Sequence, residues 1–154
     1  MQGKQTVVDA LNATLTIELT AINQYFVQSK MCRNWGLNVL ADVHFSRSLE
    51  KMKQSEQLID RIIFLEGVPE IARYDVIRVG GTVEKQFANN LAVETKALQT
   101  CNAGIQSSSE VQDPGSRILL EGLLLQSEKH LDWLEAQIDL ISKVGLQNYL
   151  ARQM

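Results

Sequence analysis

The feature that most constrains this chain is a 3.6-residue rhythm of apolar side chains, held through four long stretches and broken only by short punctuation and one long link. From about Thr6 to Arg33, Leu11, Leu15, Ile22, Tyr25 and Phe26 recur at helical spacing. Asn34-Trp35-Gly36 reads as a short turn. A second helix is expected from about Leu37 to Glu66, closed by the helix-stopping run Gly67-Val68-Pro69. Residues 68–81 form a long connection ending in Gly80-Gly81, and Thr82 is placed to cap a third helix reaching about Ser107. Asp113-Pro114, a capping acid followed by proline in the first turn, starts a fourth helix that runs to about Lys143. Gly145 then separates a short tail helix, Leu146–Arg152.

Helices of about 25–30 residues are ~40–45 Å long. The long middle link must cross that whole length, which lets helices two and three run parallel. The expected fold is all-α: a four-helix bundle with one long crossover, the ferritin-like arrangement, plus a short C-terminal fifth helix. At 154 residues this is one domain, 1–154, large enough to bury a core without staples. A net charge of −3 and the lack of basic runs interleaved with aromatics argue against a nucleic-acid partner. No uninterrupted apolar run suits a membrane span, and the N-terminus MQGKQTVVDALNATL has no signal-peptide core, so a cytoplasmic location is expected. On that reading the sequon Asn12-Ala13-Thr14 is a chance match. Cys32 and Cys101, in no metal-ligand spacing, are expected as buried thiols.

The inward stripes each break with polar residues near mid-helix. Helix one carries Glu18 among Leu11, Leu15, Tyr25 and Cys32; helix two carries His44, Arg47, Lys51 and Gln54 between Leu40 and Leu58. Helix three offers Glu94 between Leu91 and Leu98, and helix four offers Ser127 and His130 between Leu123 and Leu134. Buried acids persist when paired, hydrogen-bonded or bound to metal. A di-iron carboxylate site in such a bundle takes one glutamate from each of two helices and a Glu-x-x-His from each of the others. Glu18 and Glu94 meet the first requirement, but the other slots read Lys51-Met52-Lys53-Gln54 and Ser127-Glu128-Lys129-His130. Only Glu18, Glu94 and His130 remain as ligands. Glu50 and Glu128, one residue (about 100°) round their helices, turn away from the centre. Lys51 is expected to bond Glu18 or Glu94 where a cation would otherwise sit.

Helix two carries a second apolar face, Phe45, Leu49, Met52, Ile59 and Ile63, matched on helix one by Leu19, Ile22 and Phe26. Two apolar stripes imply a further subunit, related by a two-fold axis. Spacing leaves Met52 two uses there: a space-filling interface methionine, or a thioether ligand to haem iron.

Across its whole length the sequence resembles a bacterioferritin subunit. The segments that carry the likeness are Ala21-Ile-Asn-Gln-Tyr-Phe26, Asn34-Trp-Gly-Leu37, Arg61-Ile-Ile-Phe-Leu-Glu-Gly67, His130-Leu-Asp-Trp-Leu-Glu135 and Gly145-Leu-Gln-Asn-Tyr-Leu150. The resemblance implies a hollow shell of twenty-four subunits that stores iron as a mineral, with haem b between two-fold related chains. It implies Met52 as the haem iron ligand, and Leu19, Ile22, Asn23, Phe26, Phe45, Leu49 and Ile59 as haem-pocket positions, Phe45 standing for a usual tyrosine. Asn34, Glu66, Asp132 and Asp139 resemble the lining of a shell pore; Trp35 and Trp133 are family positions suited to packing.

Lys51, Gln54 and Ser127 stand where the resemblance leads one to expect glutamate, histidine and glutamate, and Ser46 stands where an inner-surface histidine can occur. The expectation is therefore a haem-binding subunit without its own di-iron centre, not an enzyme on its own, in a mixed shell with a ferroxidase-competent bacterioferritin chain. An electron-donor ferredoxin is a further partner of such a shell. The alternatives are a homopolymeric shell that mineralises slowly, and a ferroxidase using a rearranged site of Glu18, Glu94, His130 and Glu128.

Overall fold

A computed structural model describes residues 1–154. It contains five helices: α1 (Gln5–Asn34), α2 (Asn38–Phe64), α3 (Val83–Glu110), α4 (Pro114–Val144) and α5 (Leu146–Ala151). Their starts are chemical. The Thr82 hydroxyl accepts from the Lys85 N–H at 3.2 Å, and the Asp113 carboxylate accepts from the Ser116 N–H at 3.0 Å with Pro114 in the first turn. Gly36 and Gly145, at φ 78° and 86°, supply the left-handed residues after α1 and α4.

Two breaks differ from the sequence expectation. α2 stops at Phe64, and the left-handed residue after it is Glu66 (φ 62°), not Gly67. Gly67 serves close packing instead: a Cβ there would lie 2.6 Å from Val8 Cγ1. α3 runs three residues past Ser107, and in its last turns Ser107 and Ser108 turn their hydroxyls back onto the carbonyls of Ala103 and Gly104, at 3.1 and 2.8 Å.

The link between α2 and α3 runs back along α1. Asn12 holds its start, donating to the Val68 carbonyl and accepting from the Glu70 N–H. Thr20 accepts from the Asp75 N–H at 2.8 Å, Gln24 from the Arg78 N–H at 3.2 Å, and Gln28 donates to the Val79 carbonyl at 2.8 Å. The link thus crosses the bundle as expected, and α3 begins beside the end of α1 and runs parallel to α2. No helix is long and apolar enough to cross a membrane.

Two apolar clusters fill the ends of the bundle. One joins Val7, Leu11, Leu15, Leu58, Ile62 and Leu120; the other joins Cys32, Leu40, Phe87, Leu134 and Tyr149, the last brought in by α5. Between them lies a layer of buried polar side chains: Glu18, His44, Lys51, Glu94, Ser127 and His130. Both cysteines are free and buried, and burial pushes Cys32 up to about 11 and Cys101 up to about 12.

Candidate functional site

The polar layer is centred on Lys51. Its position on α2, one helical repeat beyond His44 and one short of Leu58, points it at the axis. The Lys51 ammonium donates to Glu18 Oε1 and to Glu94 Oε2, each at 3.2 Å, and all three side chains are essentially out of water. The expectation of a bond to one acid or the other thus resolves into a bridge between both. Tyr25, read from the sequence as one more member of the apolar stripe, donates its hydroxyl to Glu94 Oε1 at 2.7 Å. That bond had no signal in the spacing, because a tyrosine on an inward stripe looks like packing.

The charges inside this layer obey burial first and partners second. Burial alone would lower the Lys51 pKa, but Glu18 and Glu94 together outweigh it and hold the ammonium protonated well above its ordinary range. Glu18 is raised, chiefly by burial and against the pull of Lys51, and its Oε2 has no hydrogen-bond partner. Tyr25 is raised well above its usual value by burial and by Glu94. Burial lowers His44 to about 4, assisted by Arg47. It lowers His130 to about 2, assisted by Arg47, Lys51 and His44.

Neither histidine has a hydrogen-bond partner at either ring nitrogen. Aromatic contacts hold them instead. Tyr25 stacks on His44 at 6.2 Å and meets His130 edge-on at 5.5 Å, and His130 stacks on Trp133 at 5.7 Å. Trp133 therefore packs against the polar layer, whereas Trp35 lies at the surface, 38% exposed. Ser127 is buried beside His130, and Gln54 is half-buried with its Oε1 unpartnered. Glu50 and Glu128 are exposed, as their phase predicts, and Glu50 takes Arg47 at 2.8 Å.

Met52, the residue after Lys51, is turned about 100° round α2 from this layer and is 47% exposed, next to exposed Phe45 and Leu49. On α1, Phe26 and Asn23 are exposed and Leu19 and Ile22 half-buried, as is Ile59 on α2. Asn23 donates to the Leu19 carbonyl at 2.9 Å. Of the pore positions, Asn34, Asp132 and Asp139 lie toward one end of the bundle, while Glu66 lies at the other, 3.8 Å from the N-terminal amine. A single chain does not bring these four together. Ser46 is exposed.

Comparison with known proteins gives one answer. Residues 8–144 match the ferritin-like domain family. The bacterioferritin of Mycobacterium bovis is 42% identical over 152 residues, covering 99% of this chain and 96% of that protein. The bacterioferritin of Streptomyces coelicolor is 39% identical over 151 residues, 98% of this chain and 90% of that protein. The bacterial ferritin of Synechocystis sp. is 38% identical over 155 residues, 100% of this chain and 99% of that protein. Bacterioferritins are ferroxidases, iron-oxidising enzymes, and these matches carry no sign of lost activity. The expectation of a chain that is not an enzyme on its own is overturned by them. With the bundle, its crossover and near-full-length identity in agreement, the chain belongs to the bacterioferritins, multi-subunit iron-storage proteins of the ferritin-like family.

Proposed function

We propose that this chain, a single ferritin-like domain over residues 1–154, is a haem-binding subunit of a mixed bacterioferritin shell. It co-assembles with a second bacterioferritin chain that carries the full set of di-iron ligands. The observation that carries this reading is Lys51, 3.2 Å from both Glu18 and Glu94. A protonated ammonium has no lone pair for a metal and repels one, and both neighbouring carboxylates already accept from it. Gln54 and Ser127 add an amide and a hydroxyl where a di-iron site needs an imidazole and a carboxylate. The donors present, Glu18, Glu94 and His130, do not fit two metal ions.

The outer face of α1 and α2 fits a haem. Met52 offers a thioether from the middle of an exposed apolar strip, and a two-fold axis through that strip would supply a second one. Phe26, Phe45 and Leu49 would cover the faces of the macrocycle, with Leu19, Ile22 and Ile59 as the half-buried floor and Asn23 at the rim. The chemistry such a group supplies is one-electron transfer, suited to reductive release of stored iron, with electrons from a small carrier such as a ferredoxin. Asn34, Glu66, Asp132 and Asp139, exposed and polar, suit the wall of a pore between subunits.

Native mass spectrometry of shells isolated from the source cell tests the reading. Two subunit masses in one particle are expected. Particles built from this chain alone, with haem retained, would replace the mixed shell by a homopolymer.

A further inference from the structure

The outer face of α1 and α2 is apolar along its middle and charged at its two ends. Phe26, Phe45, Leu49, Met52 and Ile63 are each 40% or more exposed, a continuous apolar strip of the kind that another protein surface covers. Lys30 stands at one end, its ammonium 5.5 Å from the centre of the Phe26 ring. Asp60 stands at the other, between Ile59 and Ile63 on α2. Both are exposed, and neither makes an ion pair within the chain. Asp42, the acid at the Lys30 end of α2, is already taken by Arg33 at 2.7 Å.

We infer that a second copy of this chain covers the strip, with Lys30 of each copy on Asp60 of the other, and that a mixed shell is therefore built from like pairs. Its haem then lies between two copies of this chain; that part rests on the function proposed above, whereas the pairing rests on the face alone.

Symmetry supplies the register. A two-fold axis through Met52 lays α2 antiparallel to its copy, so residues equally far before and after Met52 come level. Asp60 of one copy is thereby level with His44 of the other. His44 stacks on Tyr25 of α1, and Phe26, the next residue, lies under the Lys30 ammonium. The acid of one copy thus reaches the height of the base of the other, and the axis makes the contact twice. A strip that is positive at one end and negative at the other is complementary to itself. An unlike chain would match it only by carrying the same thioether and the same two charges.

Sedimentation velocity of the purified chain over a dilution series, without haem and at physiological ionic strength, tests the pairing. Lys30→Asp and Asp60→Lys, each alone, set like charges together twice per pair and should weaken self-association about ten- to hundredfold. An equimolar mixture of the two should regain native association, because each then meets the opposite charge at both ends. The double variant Lys30→Asp/Asp60→Lys should pair with itself for the same reason. Met52→Leu should pair normally without haem, so a fault in the haem reading leaves this result untouched. Native mass spectrometry of pairs released from haem-loaded shells of the source cell identifies the occupant, and two copies of this chain are expected. Three results would overturn the inference: single variants that associate as tightly as the native chain, a mixture or double variant that stays weak, or released pairs that join this chain to a different one.

Discussion

The hydroxyl of Tyr25 donates to Glu94 Oε1 at 2.7 Å while the other oxygen of the same carboxylate accepts from Lys51 at 3.2 Å. Glu94 is therefore held from two sides, by a neutral donor on α1 and a charged one on α2, in a layer that excludes water. The two acids and one base leave an excess of one negative charge when all are ionised. The phenol bond spreads that charge on Glu94, and the raised pKa of Glu18 answers it on the other side. Removing the phenol oxygen should thus leave a buried charge short of one partner. Tyr25→Phe is expected to lower stability by about 1.5–3 kcal/mol, the range for a hydrogen bond to a charged group. Urea unfolding reads this directly, and an unchanged midpoint would show that Glu94 finds its partner elsewhere.

Lys51→Met removes the only cation from the pair of acids. Two buried carboxylates then face each other, and the cost expected is ~3–5 kcal/mol. Adding Glu18→Gln to Lys51→Met should recover much of it, since one neutral amide can bond the remaining carboxylate. The recovery separates a charge effect from lost packing: a double variant as unstable as Lys51→Met alone would mean that volume, not charge, set the loss.

Acid should weaken the bundle through its histidines. The folded state holds both imidazoles neutral, with pKa about 4 for His44 and about 2 for His130, below the ordinary 6.5. The unfolded chain therefore binds protons that the folded chain refuses. Their contribution is complete above about pH 6.5 and is lost as pH falls from there through about 4, continuing lower for His130. Glu18, raised in the fold, acts in the opposite sense at the acid end. His44→Phe, which keeps a ring stacked on Tyr25 and edge-on to Phe87, should flatten the pH dependence of unfolding by about one proton between pH 6.5 and 4.5. An unchanged slope would place the titration on other groups.

Much of this layer was legible because helical periodicity is a strong signal. Lys51 could be placed at the axis from its spacing to His44 and Leu58 alone, and Met52 follows as its outward neighbour. Which acid receives the ammonium was not legible, since that depends on three helices meeting at one height. The polar stripe of α1 was also opaque. Thr20, Gln24 and Gln28 look like solvent-facing residues at four-residue steps, yet all are buried. They carry the hydrogen bonds of a crossover that has no periodicity of its own and must satisfy its backbone on the helix beneath it. Glu66 shows the same limit: its left-handed backbone is set by the chain's return to Ile62, and glycine next door drew the inference instead.

Met52 tests the haem face. If its thioether ligates haem iron, Met52→Leu keeps the apolar strip and loses the donor. Shells of the variant should assemble normally, with the Soret absorbance per subunit much reduced after exhaustive dialysis. Full haem retention in Met52→Leu, with an unaltered spectrum, would remove methionine from the axial position.

The reading of Lys51, Gln54 and Ser127 as replaced ligands can be tested by putting the donors back. In Lys51→Glu/Gln54→His/Ser127→Glu the di-iron donor set would comprise four carboxylates and two imidazoles, with Glu18, Glu94 and His130 already buried at one height. Without the lysine those acids repel one another, so the variant should be markedly less stable than the native chain until a divalent metal is added. Metal binding to the fold alone then returns stability in proportion to the logarithm of its concentration. Cobalt(II) serves as the probe, because its visible d–d bands report entry into the site independently of any turnover. The variant should bind about two cobalt ions per chain and regain its thermal midpoint, as a dinuclear donor set requires. In the native chain the ammonium between Glu18 and Glu94 should keep those bands from developing. Two strong cobalt equivalents in the native chain, displacing Lys51, would instead show that the lysine swings aside and that the family's metal site survives around it.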